Sequence, residues 1–148
     1  MKVLIDADAC PVVDIAVSLC KQHNTQCLLL CDTAHEMTRE GAQTMVFDKG
    51  SDSVDFALVQ RVESGDIVVT QDYGLASMCL AKQAIVLHQD GWKYTEYNID
   101  ALLFSRHENR KLRASGGRVK GPKKRGNSQN QEFKKHLKTN FKIDPKGK

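Results

Sequence analysis

The chain has 148 residues, 41% of them hydrophobic, which is enough for the core of one globular domain. Its net charge of +4 hides an asymmetry, because residues 1–104 carry 7 Lys and Arg against 15 Asp and Glu, whereas residues 105–148 carry 15 against 3. No apolar stretch has the roughly 18 residues of a membrane span or the plan of a signal peptide, and five cysteines without a CxxC pair argue against a disulfide framework or a structural zinc site. We therefore expect a cytoplasmic protein with no membrane partner.

Apolar runs alternate with helical periodicity through most of the acidic part, which is typical of βαβ units. We predict strands near residues 2–6, 26–31, 43–47, 66–70 and 84–87. Helices are predicted over the apolar stripes that follow Pro11 and Ser53, and a short helix is predicted to begin at Asp72. A longer helix over 99–113 has Thr95 and Asn98 as alternative caps. The predicted class is α/β, with a mostly parallel five-stranded sheet.

After the helix predicted over 99–113, the basic part of the chain contains a loop and then a second helical pattern. Residues 115–126 contain four glycines and a proline among five cations, so they cannot form a regular element. Residues 131–141 regain helical spacing through Phe133, Leu137 and Phe141, and this stretch could dock on the body or fold on a partner. We predict one domain over 1–114, followed over 115–148 by a basic Gly-rich loop and a helical tail.

Carboxylates follow two of the predicted strands. Asp6 and Asp8 come after the run Val3-Leu4-Ile5, and Asp72 follows the run that ends at Thr70. Parallel sheets bind ligands beyond the carboxyl ends of their strands, and two aspartates at the start of a helix, Asp52 and Asp55, could reach the same place. Carboxylate oxygens are the ligands that Mg²⁺ prefers. Each aspartate has an alternative role as a helix cap, but together they predict a metal site.

Four segments of the chain resemble the YaiI/YqxD family of uncharacterised bacterial proteins, which looks like a member of the PIN-like nuclease superfamily. They are Asp6-Ala7-Asp8-Ala9-Cys10-Pro11, Gly50-Ser51-Asp52-Ser53-Val54-Asp55, Gly65-Asp66-Ile67-Val68-Val69-Thr70-Gln71-Asp72 with Leu75-Ala76, and Leu112-Arg113-Ala114-Ser115-Gly116 with Gly121-Pro122.

The resemblance implies a PIN-like three-layer sandwich that holds Mg²⁺ or Mn²⁺ for phosphodiester cleavage. By position, Asp6 is similar to the first acid of the superfamily, Asp55 to its helical acid and Asp72 to the acid after its fourth strand. These three residues are the predicted catalytic acids. With Asp8 and Asp52 they are also the predicted metal ligands.

The basic part predicts a polyanionic partner, because Lys and Arg contacts to phosphates dominate nucleic-acid binding. We expect the backbone of a nucleic acid, with RNA favoured over DNA, to contact residues that flank or lie in the Gly-rich loop: Arg113, Ser115, Lys120, Lys123, Lys124 and Arg125. The aromatic residues Trp92, Tyr94 and Tyr97 could stack on bases or pack against the sheet.

Two other functions compete with a metal-dependent ribonuclease. One is a nucleic-acid-binding protein with an inactive or regulatory metal site, for which the basic part is sufficient. The other is a phosphatase of the haloacid-dehalogenase kind, with an aspartyl-phosphate on Asp6 and Asp8 as its acid–base group. Against the latter, Gly65-Asp66 precedes its apolar strand instead of following one. Cys10, two residues from Asp8, is a further candidate nucleophile or redox sensor.

Overall fold

Five parallel strands form the central layer of the molecule. The computed structural model describes residues 1–49, 53–117 and 125–141. Within them the strands are β1 (Lys2–Asp6), β2 (Gln26–Asp32), β3 (Gln43–Phe47), β4 (Ile67–Val69) and β5 (Ile85–Leu87). Their order is β3-β2-β1-β4-β5, and each neighbouring pair is parallel. The prediction of an α/β fold around a five-stranded parallel sheet is confirmed.

The described residues also contain five helices: α1 (Val13–Gln22), α2 (Ser53–Arg61), α3 (Tyr73–Ala81), α4 (Glu96–Ala114) and α5 (Asn127–Phe141). Helix α4 begins with a capping box in which the Thr95 hydroxyl accepts the Asn98 N–H and the Asn98 side chain accepts the Thr95 N–H. Thr95 is therefore the cap, and α4 starts before the predicted residue 99. Helix α2 starts at Ser53, so this serine is its first helical residue.

The helices cover both faces of the sheet. Successive strand residues point to opposite faces, and accordingly Val3 and Ile5 belong to one buried cluster with α1 and α5, whereas Leu4 belongs to a second cluster with α2, α3 and α4. All three of these β1 side chains are fully buried, as expected for the middle strand of a parallel sheet. The result is a three-layer sandwich.

Helix α5, in the basic part of the chain, contributes to the core. Its Phe133 and Leu137 are fully buried in the α1 cluster. Gly91, with φ +97°, lies so close to the α5 backbone that an added Cβ would be 2.7 Å from the Glu132 carbonyl carbon. The predicted helical pattern therefore docks on the body, the first of the two alternatives given above. The division of the chain at residue 114 stays a prediction.

None of the helices in the described ranges is both long enough and apolar enough to cross a membrane.

Candidate functional site

The carboxyl ends of β1 and β4 bring Asp6 and Asp72 together. The two strands are direct neighbours in the sheet, as the proposed cluster requires. The Thr70 hydroxyl, just after β4, donates to Asp6 Oδ2 over 2.9 Å and accepts the backbone N–H of Asp72 over 3.0 Å. The Thr70 carbonyl in turn accepts the buried Tyr94 hydroxyl over 3.1 Å. Thr70 thus fixes the Asp6 carboxylate next to the start of α3.

Asp72 is also the N-cap of α3. Its Oδ1 accepts the backbone N–H groups of Gly74 and Leu75 over 2.9 and 3.2 Å. The Arg106 guanidinium, from α4, lies 3.5 Å from the same oxygen. Asp72 can cap α3 and still bind a ligand. All of these contacts use Oδ1, so Oδ2 is the oxygen that could bind the ligand.

Burial and neighbouring charges make Asp6 unfavourable as an anion. Burial raises the pKa of its carboxyl from 3.8 to about 6, the negative charges of Asp8 and Asp72 add to this rise, and the hydrogen bond from Thr70 opposes it. The three carboxylates are therefore close enough to interact. A cation among them would relieve both the repulsion and the loss of hydration.

Asp55 approaches the same region from the first turn of α2. With Asp72 it lines a pocket of about 360 Å³ between α2 and α3, whose remaining walls are largely apolar. The pKa of the Cys79 thiol is raised to about 12, mainly by burial and further by the negative charges of Asp55 and Asp6. Both carboxylates therefore act on this one side chain. The last predicted acid, Asp52, lies outside the described residues.

Asp8 faces the other neighbour of β1. Its Oδ1 accepts the backbone N–H of Asp32, which ends β2, over 3.2 Å. The His35 Nδ1 lies 2.8 Å from Asp32 Oδ1 and 3.6 Å from Asp8 Oδ1. One ligand atom of each residue falls within 4.8 Å of the others, so this group could hold a metal ion. A mixed carboxylate and imidazole set suits transition metals better than Mg²⁺.

Sequence reasoning missed Asp32, His35 and Arg106. Asp32 follows the apolar run Cys27–Cys31, the same signal that singled out Asp6. Its placement beside Asp8 depends on β2 pairing with β1. The hydrogen bond from His35 keeps the pKa of the Asp32 carboxyl below its ordinary value.

Of the residues predicted to bind nucleic acid, three lie in the described ranges. Arg113 is exposed near the end of α4, and Ser115 is the C-cap of that helix, with its hydroxyl donating to the Leu112 carbonyl. Arg125 contacts the Asp90 carboxylate and donates to the Gln89 carbonyl and the Asn130 side chain, so its guanidinium ties the start of α5 to the loop after β5. Lys120, Lys123 and Lys124 lie outside the described residues.

The candidate nucleophile Cys10 and two of the three candidate stacking aromatics are at least partly buried. Cys10 is half-buried, and burial is the main cause that raises the pKa of its thiol to about 11, so the thiol is protonated at neutral pH and a poor nucleophile. Tyr94 is fully buried, and Trp92 stacks on His88 with ring centroids 4.4 Å apart. Tyr97, in contrast, is 94% exposed on the first turn of α4.

Comparison with known proteins gives a family. Residues 4–142 match the model described as "Uncharacterized BCR, YaiI/YqxD family". A UPF0178 protein of Natranaerobius thermophilus is 48% identical over 139 residues, covering 93% of this chain and 94% of the relative. A UPF0178 protein of Exiguobacterium sibiricum is 49% identical over 133 residues, covering 90% and 91%. No solved structure gives a significant match.

Proposed function

We propose that this chain, which belongs to the YaiI/YqxD family, is a metal-dependent nuclease that hydrolyses phosphodiester bonds, with RNA favoured over DNA as the substrate. The observation that carries the proposal is the proximity of Asp6 and Asp72 at the carboxyl ends of two neighbouring strands, with Asp8 on the β2 side of the same edge. Ligands of open parallel sheets bind at this edge.

The donor set fits a hard divalent cation. The groups on the β4 side are carboxylates from β1, α2 and the start of α3, and oxygen ligands of this kind are typical of Mg²⁺ and Mn²⁺ sites. We assign Asp6, Asp55 and Asp72 to this side. We add Asp52 only because its sequence segment resembles the family. Asp8 lies towards β2, where Asp32 and His35 extend the set. A bound cation would supply an activated water and positive charge beside the leaving oxygen.

The protein's own groups orient these ligands. Thr70 donates its hydroxyl to Asp6 Oδ2, which leaves Oδ1 for a metal. Asp72 uses Oδ1 to cap α3, so its Oδ2 can face the metal while the helix N-terminus favours the negative charge. Hydrogen-bonded support of this kind positions carboxylate ligands in metalloenzymes.

The basic C-terminal part supports the choice of a nucleic acid. The 15 Lys and Arg of residues 105–148 follow a stretch of 104 residues that is acidic overall, and a basic segment of this kind favours an anionic substrate such as a nucleic acid. Among these cations, Arg106 lies 3.5 Å from Asp72 Oδ1. Further contacts to the nucleic-acid backbone would come from Arg113, Ser115 and the lysines of the Gly-rich loop.

A cleavage assay with purified protein tests the proposal. Labelled single-stranded and structured RNA and DNA are incubated with Mn²⁺, Mg²⁺ or EDTA. We expect cleavage with a divalent cation, none in EDTA, and strongly reduced cleavage by Asp72→Asn, which keeps α3 intact because asparagine caps helices as well as aspartate.

Binding without cleavage under every metal condition would contradict the proposal and favour a nucleic-acid-binding protein with an inactive or regulatory metal site. Release of phosphate from small phosphomonoesters, with no cleavage of the polymers, would favour the phosphatase alternative.

A further inference from the structure

We propose that a single-stranded nucleic acid lies across the start of α3, with its phosphates in a basic groove between α3 and α4 and an unpaired base in the apolar pocket between α2 and α3. This inference rests on the proposed function, since it names the substrate form that the same site accepts. It concerns residues on both sides of Asp72.

The groove on the first side is basic and polar. It has a volume of about 430 Å³ and is lined by Tyr73, Leu102, Ser105, Arg106, Asn109, Arg110 and Arg113. The three arginines are spaced at i, i+4 and i+7, which puts them on one face of α4. Arg106 pairs with Asp72, and neither Arg110 nor Arg113 forms an ion pair with another described residue. Exposed guanidinium groups in such a row match successive phosphates of a nucleic-acid backbone.

The pocket on the second side is apolar. Besides Asp55 and Asp72 it is lined mostly by carbon surface from α2 and α3, including Phe56, Leu75 and Met78. Phe56 is 67% exposed and Met78 is 46% exposed, so these side chains contribute little to the core. The exposed Phe56 ring offers a flat apolar face beside Asp55 and Asp72, and a nucleobase can stack on such a face.

The two cavities share the start of α3. Asp72 lines the pocket, Tyr73 lines the groove, and Arg106 reaches from the groove to within 3.5 Å of Asp72. A nucleotide combines an anionic phosphate with an apolar ring, so a nucleic-acid strand that passes over Asp72 can fill both cavities at once. The phosphate that lies between the two cavities would then be next to the carboxylates. A base can enter the pocket only when it is unpaired, which excludes an intact duplex.

Binding measured in EDTA tests the proposal without cleavage. Short fluorescein-labelled single-stranded RNA, single-stranded DNA and duplex of the same sequence are titrated with protein across about 50–200 mM salt by fluorescence anisotropy. We expect both single strands to bind more tightly than the duplex. The Phe56→Ala variant should weaken single-strand binding by roughly 10-fold, the effect of losing one stacked base. Phe104→Ala, which removes an exposed phenylalanine ring of α4 that lines neither cavity, should not.

Substitutions of two adjacent cationic residues of α4 test whether the groove binds phosphates. Arg110→Ala should reduce the slope of log affinity against log salt by about 1, because one phosphate contact is lost. Lys111→Ala removes the same charge from a side chain that pairs with Glu108 and does not line the groove, so its slope should stay near that of the wild type. Equal slopes for these two variants would overturn the groove assignment.

Three other results would overturn the proposal. Duplex binding as tight as single-strand binding, or equal affinities of Phe56→Ala and Phe104→Ala, would show that no base occupies the pocket. A dimer that forms in the wild type and is lost in Phe56→Ala, measured by sedimentation, would give the pocket to a second copy of the chain. If binding follows the expected pattern but no metal supports cleavage, only the proposed nuclease function fails.

Discussion

Replacing Asp6 with asparagine should stabilise the metal-free protein at neutral pH. The change removes a half-buried negative charge but keeps the shape of the side chain and an oxygen that can accept the Thr70 hydroxyl. The difference between the ordinary pKa of 3.8 and the value of about 6 in the fold corresponds to about 3 kcal/mol. Residual solvent contact screens part of this energy, so we expect the free energy of unfolding to rise by about 1–2 kcal/mol.

The gain should depend on pH in a defined direction. Because folding raises this pKa, the folded wild type binds more protons than the unfolded chain between the two values, and its stability falls as the pH rises through about 6. The advantage of Asp6→Asn should therefore be complete at about pH 8 and absent below about pH 4. Urea unfolding in EDTA at both pH values, with Asp14→Asn on the exposed face of α1 as the control, measures it.

A lower stability of Asp6→Asn at both pH values would refute this reasoning and make the carboxylate a structural hydrogen-bond acceptor. Adding Mn²⁺ extends the test, since a ligand that binds only the folded state raises its stability. The wild type should gain more from Mn²⁺ than Asp6→Asn does.

Three further changes test the fold and the basic part. Phe133→Ala should lower the free energy of unfolding by about 3–5 kcal/mol, because it empties a fully buried position between α5 and α1, and urea unfolding with Lys134→Ala as the control measures this. Gly91→Ala should destabilise the protein by at least about 1 kcal/mol, because its φ of +97° is strained for alanine and the new Cβ meets the backbone of α5; an unchanged melting temperature would contradict this close approach. Alanine at Lys120, Lys123 and Lys124 together should flatten the salt dependence of RNA binding by up to about 3 in slope without changing stability, and an unchanged slope would remove these lysines from the interface.

The sequence was sufficient for the strands because most of them contain a short run of apolar residues. Val3-Leu4-Ile5 and Ile67-Val68-Val69 gave β1 and β4, and the alternation with helical stripes gave their parallel arrangement. Asp72 was predicted at the start of α3, where it is the N-cap. These features depend on local pattern, which a single sequence contains.

The division of the carboxylates between two sides of β1 could not be predicted. Asp6 and Asp8 are two residues apart, yet Asp6 contacts Thr70 after β4 and Asp8 contacts Asp32 at the end of β2. This arrangement depends on β1 having both strands as neighbours, and strand order follows from packing across the whole sheet. The docking of α5 was left open for the same reason, since the spacing of Phe133 and Leu137 defines an apolar face without naming its partner.

The rate of metal-dependent cleavage by Asp6→Asn tests the central claim most directly. It is measured on labelled single-stranded RNA in Mn²⁺, beside the wild type and Asp14→Asn, which makes the same charge change at an exposed ion pair with Arg39. We expect the Asp6→Asn variant to cleave RNA at least roughly 100-fold more slowly than the wild type, because even residues that only hydrogen-bond to a metal ligand can contribute that much to activity. The Asp14→Asn variant should keep the wild-type rate. Equal rates for wild type and Asp6→Asn, with both proteins folded, would contradict a metal-dependent nuclease centred on this carboxylate.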